Sequence, residues 1–315
     1  MPRRAPSRFP ELSYASPGQP RLKRWFIRGV EHLSGRERYA RLYDHWRREI
    51  APTGDRIFGR MLDLVGVGLD AEGQWPPADL PDGPLVIVAN HPFGIGDGIA
   101  ILSLVERLGR PFRVMINAEL LKVPEMAPYS LPIDFSESRQ ALVANLAVRN
   151  EALKLLSQGT VIVVFPGGGV ATAPRGFSRA VDLPWKMFPA RMVQEAKASV
   201  VPIWFGGQNG RLFHVVSGPM ALAERDGRLA RAVGGLSLTL RTSLLIREFT
   251  RLSGRTIKAR IGPTLKAGDL AACRDRRELT RLLHAAVFGL APARPRAREA
   301  VQGAAAPSAA MTSTS

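Results

Sequence analysis

The sequence predicts an α/β fold: a mixed, largely parallel sheet flanked by helices, preceded by a basic amphipathic helical region. Three observations carry this reading. Short, wholly apolar runs at 85–90 (LVIVAN), 160–165 (TVIVVF) and 199–207 (SVVPIWFGG) read as buried central strands, because a strand covered on both faces has no polar side to alternate with. Segments with helical spacing stand between them, as in folds built from alternating strands and helices. The first two apolar runs each end in a Gly-rich turn, HPFGIGDG and PGGG.

Taken in order, residues 1–20 are proline-rich without a periodic apolar pattern and read as a flexible arm. From 21 to 50 the apolar residues Leu22, Trp25, Phe26, Val30, Leu33, Tyr39, Leu42, Tyr43, Trp46 and Ile50 recur at helical spacing, with Lys and Arg on the other faces. An aromatic face opposite a basic one suits a helix lying in a membrane interface, and equally a helix packed on its own domain with a solvated basic face. Residues 53–69 read as a helix running into a strand, which closes an N-terminal helical region over 21–70. The main domain spans 71–290, with strands at 85–90, 112–117, 130–134, 160–165, 199–207 and 256–265 and helices at 98–108, 139–159, 187–198 and 275–290. Gly159 closes the long helix as a C-cap residue. The Ala-, Pro- and Ser-rich end, 291–315, has little to bury and reads as a disordered tail.

Charge and cysteine usage narrow the function classes. Lys and Arg number 44 against 27 Asp and Glu, a net charge of +17 that favours anionic partners. Residues 1–50 hold twelve of the cations and five of the acids. The single Cys273 precludes an intramolecular disulfide and a Cys-based zinc site. His32, His45, His214 and His284 lack metal-ligand spacing, so no metal is expected. No run approaches the roughly 20 apolar residues that span a bilayer, and the N-terminus lacks the apolar core of a signal peptide.

The sharpest chemical feature is Asn90-His91-Pro92-Phe93-Gly94-Ile95-Gly96-Asp97-Gly98. A buried strand delivers His91 to its carboxyl end, the edge at which open α/β sheets bind ligands. A Gly-rich turn of this length can return the Asp97 carboxylate to one imidazole nitrogen, fix the tautomer and leave the other nitrogen as a base. That is a nucleophilic triad without its nucleophile, a part a substrate hydroxyl could fill. Asp97 before an apolar helix is also a natural N-cap. The spacing fits neither a dinucleotide loop nor a phosphate-binding loop, and no serine-hydrolase elbow is present. The second loop, Phe165-Pro166-Gly167-Gly168-Gly169, also follows a buried strand, and its glycines let backbone N–H groups approach an anion. Arg175, Arg179, Lys186 and Arg191 follow it.

Together these blocks resemble the PlsC-like glycerolipid acyltransferase superfamily, and within it the bacterial hemolysin-like lysophospholipid acyltransferase branch. The five-residue gap between His91 and Asp97 matches the longer form of that family's first block. Phe165-Pro166-Gly167-Gly168 matches its third block in part, and Val201-Pro202-Ile203 its fourth. Asp182-Leu183-Pro184-Trp185, Gly207-Gln208-Asn209 and the stretch from Leu240 to Glu248 are similar to the branch as well. The third-block glutamate is absent, and Arg139 is a loose match to the cationic residue of the second block. The resemblance covers roughly 80–290.

It implies acyl transfer from a thioester, acyl-CoA or acyl-carrier protein, to the hydroxyl of a lysophospholipid or similar lysolipid. His91 is then the base and Asp97 its orienting partner. Asn90, Phe165, Pro166, Gly167, Gly168, Gly169, Arg175 and Arg139 form the substrate site. No cofactor is required. The expected setting is peripheral, on the cytoplasmic face of the cell membrane, at an anionic surface. Nucleic acid is not an expected partner, since no RNA-recognition pattern accompanies the charge. A catalytically silent lipid-binding relative is the alternative.

Overall fold

The computed structural model describes residues 36–118, 121, 123–134, 139–174, 178–226 and 244–292. The 1–20 arm, the first half of the 21–50 helix, Arg175 and all but the start of the 291–315 tail lie outside the described residues.

Seven strands form one sheet: β1 (Gly68–Glu72), β2 (Leu85–Ala89), β3 (Phe112–Asn117), β4 (Ser130–Ile133), β5 (Val161–Val164), β6 (Ser199–Gly206) and β7 (Thr256–Ile261), in the order β1-β7-β6-β2-β5-β3-β4. Every neighbouring pair is parallel except β6 with β7. Five strands therefore run one way, and β1 and β7 run against them. The sheet is mixed and largely parallel, as expected. β1 answers the predicted helix-to-strand passage, and β7 stops at Ile261 rather than running on to 265.

β2 and β5 are buried along their whole length because both sheet faces are covered. Leu85, Ile87 and Ala89 face one core, and Val86 and Val88 face the other. The first core is closed by α2 (Ile57–Val65) and α3 (Ile95–Val105), and the second by α4 (Arg139–Ser157), α5 (Phe188–Ala196) and α9 (Arg276–Phe288). The chain leaves β2 over α3 toward β3, and leaves β5 over α5 toward β6, on opposite faces. The two crossovers diverge between adjacent strands, and such a switch point is where open α/β sheets form a crevice at the carboxyl edge.

α1 (Arg36–His45) continues through a π-helical turn, Trp46–Ile50, and a 3-10 turn, Ala51–Thr53. Its apolar face packs on the domain. Trp46 is 1 % exposed in the first core and donates its indole N–H to the Ile57 carbonyl at 2.9 Å. Tyr43 donates its hydroxyl to Glu125, and the Tyr39 ring lies 5.6 Å from that of Phe249. Within 36–50 the packed alternative holds: a helix seated on its own domain.

Three further helices were not predicted. α6 (Arg211–Asp226) follows β6, α7 is helical over residues 244–250, and α8 (Ala267–Ala271) is short. α6 hides in the sequence behind Gly218-Pro219, a pair that reads as a break in any helical pattern. α3 begins at Ile95, three residues before its predicted start, because Gly96 and Gly98 give its first turn the look of a loop.

Candidate active site

β2 ends at Ala89, and the next residue sets the site. Asn90 is buried and pairs with the Phe205 backbone in both directions. Its amide nitrogen donates to the Phe205 carbonyl at 2.9 Å, and its oxygen accepts the Phe205 N–H at 2.6 Å. This extends the β2–β6 ladder by one side-chain rung and fixes where the chain leaves the sheet. His91 follows, held by its backbone on both sides: its N–H donates to Asp182 at 3.3 Å, and its carbonyl accepts the Ala171 N–H at 2.8 Å.

The turn then folds back as its glycines allow. Gly94 has φ 85°, and a Cβ there would stand 2.9 Å from the Val170 side chain. Asp97, in the first turn of α3, is fully buried. Its Oδ2 accepts the Phe93 N–H at 2.8 Å, closing the turn, and its Oδ1 lies 3.0 Å from His91 Nδ1. Neither Nδ1 nor Oδ1 has another partner among the described residues. The imidazole side chain is 18 % exposed although its Nδ1 is buried, so the exposure falls on the edge that carries Nε2. Tight-turn geometry and helix-start geometry coexist in Asp97: one oxygen serves the backbone and the other the imidazole.

The 165–169 loop borders the same edge. Phe165 stacks on His91, with ring centroids 4.1 Å apart and planes at 28°. Gly168, at φ 70°, donates its N–H to the Phe165 carbonyl at 2.9 Å and makes the turn. The amides of Gly167 and Gly169 make no hydrogen bond among the described residues. Gly167 stands where a loop acid might, and a Cβ there would make a tight contact, 3.2 Å from the Leu183 carbonyl.

That backbone belongs to a strap, residues 180–186, laid over the loop. Thr172 and Val181 exchange backbone hydrogen bonds at 3.0 and 3.1 Å, and Lys186 donates its N–H to the Pro166 carbonyl at 2.9 Å. Between these ties sits Asp182, 8 % exposed, whose second oxygen accepts the Trp185 indole N–H at 3.1 Å. Burial pushes the Asp182 carboxyl above its usual range. The hydrogen bonds from Trp185 and the His91 backbone, and the imidazole itself, pull it back, while the Asp97 charge raises it further.

One predicted residue, Arg139, is placed apart. Arg139 starts α4 beyond edge strand β4, exposed and separated from β2 by β5 and β3. No group of three or more His, Cys, Asp or Glu that could hold a metal occurs among the described residues.

A family model described as Acyltransferase matches residues 76–206, from the loop before β2 to the end of β6. Residues 76–206 are therefore similar to an acyltransferase domain. The chain is 30% identical over 142 residues to a lyso-glycine lipid O-acyltransferase of Bacteroides thetaiotaomicron, covering 42% of this chain and 47% of the relative. It is 28% identical over 142 residues to a lyso-glycine lipid O-acyltransferase of Phocaeicola vulgatus, covering 43% of this chain and 47% of that protein. The chain thus spans about half the length of the curated relatives it matches. It is also similar to the crystal structure of the 1-acyl-sn-glycerophosphate (LPA) acyltransferase, PlsC, from Thermotoga maritima, at 18% identity and a TM-score of 0.47, covering 84% of this chain and 90% of that one.

The same edge of the sheet also holds residues whose place the sequence did not reveal. Asn209 donates to the Phe93 carbonyl at 3.4 Å, and buried Glu248 accepts the Gly210 N–H at 2.6 Å beside Arg247 and Arg251. They fix the β6–α6 turn against the His91 turn. Gly207 between them has φ 118°, and a Cβ would fall 2.4 Å from the Phe93 ring. Gly207→Ala is expected to cost about 1–3 kcal/mol from backbone strain alone, read as a lowered denaturation midpoint. Wild-type stability in that variant would mean that the backbone at 207 relaxes out of its positive φ and that Phe93 moves aside.

Proposed function

We propose that this protein transfers an acyl group from a thioester, acyl-CoA or acyl-carrier protein, to the hydroxyl of a lysolipid, with His91 as general base and Asp97 as its orienting partner. The observation that carries the reading is the 3.0 Å contact between buried Asp97 Oδ1 and His91 Nδ1, which leaves the Nε2 edge of the imidazole open beside the glycine loop. The acceptor hydroxyl gives its proton to Nε2 as its oxygen attacks the thioester carbonyl carbon. The amides of Gly167 and Gly169 are donors for the oxyanion that forms. The C–S bond then breaks, and the leaving thiolate takes the proton from the imidazolium. General base catalysis of this kind contributes about 10²–10⁴-fold. The two curated relatives are named for a lyso-glycine lipid, which makes a lysolipid with an amino-acid headgroup the first acceptor to test.

Membrane contact fits the same edge of the sheet. No helix of the described residues is long and apolar enough to cross a bilayer. α4 and α6 both start at the carboxyl edge, and their N-terminal halves expose Leu142 (68 %), Val143 (67 %) and Leu146 (51 %), and Leu212 and Val215 (each 47 %). Val181 and Met187 of the strap region are also exposed, with Arg139, Arg179, Lys186 and Arg211 among them. Apolar insertion and basic attraction to anionic lipid act together at such a surface. We place the protein peripherally, at the cytoplasmic face.

Incubation of purified protein with mixed lysolipids and either acyl donor, followed by lipid mass spectrometry, tests the reaction. The expected product is a lysolipid heavier by one acyl chain. No new acylated lipid with any donor would leave the silent lipid-binding reading in its place. Vesicle co-sedimentation tests the surface: changing Leu142, Val143 and Leu146 together to Ser is expected to weaken binding to anionic vesicles several-fold, with binding also weakened by salt. Unchanged binding would move the contact to another face.

A further inference from the structure

We propose that Asp182 is a positioning residue of the site, a second carboxylate that holds His91 through its backbone N–H. The inference rests on the reading of His91 as the base and goes beyond it. No residue of the first or third block supplies this group. It comes from the strap that covers the glycine loop.

The geometry makes Asp182 an integral part of the site rather than a surface acid. One oxygen accepts the His91 N–H at 3.3 Å and the other the Trp185 indole N–H at 3.1 Å. The strap is tied on both sides of it, at Val181 to Thr172 and at Lys186 to Pro166. Leu183, the next residue, sets its carbonyl 3.2 Å from where a Cβ at position 167 would stand. The loop that lacks an acid is therefore covered by a segment that brings one. The charged groups acting on Asp182 are the His91 imidazole, which favours its ionised form, and the Asp97 carboxylate, which opposes it. His91 is thus held by two carboxylates. One fixes its Nδ1, and the other fixes the peptide that carries it and adds negative potential.

The charge works in a definite direction. Burial favours the protonated acid in the folded state. Ionised Asp182 therefore costs stability, which falls as pH rises from the ordinary carboxylate value through the raised one. A residue kept only for the fold would have the opposite signature.

The test is the backbone amide resonance of His91 by NMR on histidine-labelled full-length protein, which needs no turnover, alongside kcat and KM for acyl-CoA. In Asp182→Ala the His91 N–H loses its acceptor, so its proton resonance is expected to move upfield. Alongside it, kcat should fall about tenfold, because a misplaced reacting group is costly, while KM stays nearly constant. The fall in stability with rising pH should be lost as well. Should Asp182→Ala fail to fold, Asp182→Asn reports instead: its amide oxygen can still accept the His91 N–H, so the resonance and kcat should stay near wild type. An unmoved His91 amide resonance in Asp182→Ala, or the same loss of kcat in Asp182→Asn with the resonance unmoved, overturns the proposal. Failure of the acyl-transfer reading would appear separately, as activity that survives loss of His91 while the amide resonance of the Asp182 variant still moves.

Discussion

Replacing His91 with alanine is expected to remove acyl transfer, by at least about 10²–10⁴-fold, with secondary structure unchanged. The side chain is partly exposed and its ring rests on Phe165, so no large cavity opens in the core. The variant does leave Asp97 Oδ1 buried without its 3.0 Å partner, which should cost about 1–3 kcal/mol. A domain of this size tolerates such a loss, and circular dichroism with chemical denaturation would show it as a shifted midpoint on an intact fold. Product formation within a fewfold of wild type, followed by mass spectrometry, would remove His91 from the mechanism.

The second large effect belongs to Asp97→Asn. The amide oxygen can still accept the Phe93 N–H, so the turn at 2.8 Å survives. The amide nitrogen then faces His91 Nδ1 and donates to it. That forces the remaining imidazole proton onto Nε2, the atom that must receive the proton of the acceptor. A wrong tautomer of this kind costs up to about 10⁴-fold in kcat. The predicted pattern is a collapse of kcat with small change in KM and in denaturation midpoint. Lost stability with retained turnover would instead make Asp97 a helix-start residue and nothing more.

The legible parts of this protein are those that local chemistry dictates. β2, β5 and β6 read correctly because a strand covered on both faces must be apolar throughout, and LVIVAN, TVIVVF and SVVPIWFGG have no other use for such runs. The His91–Asp97 pairing was legible because both residues lie in one short turn. Asp182 was visible only as part of a four-residue likeness, since its partner is 91 positions away and nothing local announces the contact. The reversed direction of β1 and β7 is likewise a property of long-range pairing. Amphipathicity at Tyr39, Tyr43 and Trp46 specified a buried face without saying what would bury it. Arg139 stood near the predicted strand at 130–134 in sequence, but that strand is the sheet edge and carries it away from β2.

The Asn90–Phe205 rung joins residues 115 positions apart, and it ties the function to the order of synthesis. A ribosome-bound chain holds the His91 turn long before β6 exists to receive it. Until Phe205 emerges and docks, the peptide bearing the imidazole has no fixed exit from β2. Contacts of such separation close slowly, because the intervening loop must be ordered first. Activity should therefore appear late, in a single step with the completion of the sheet. A nascent chain stalled before that point should be unable to modify the membranes around it.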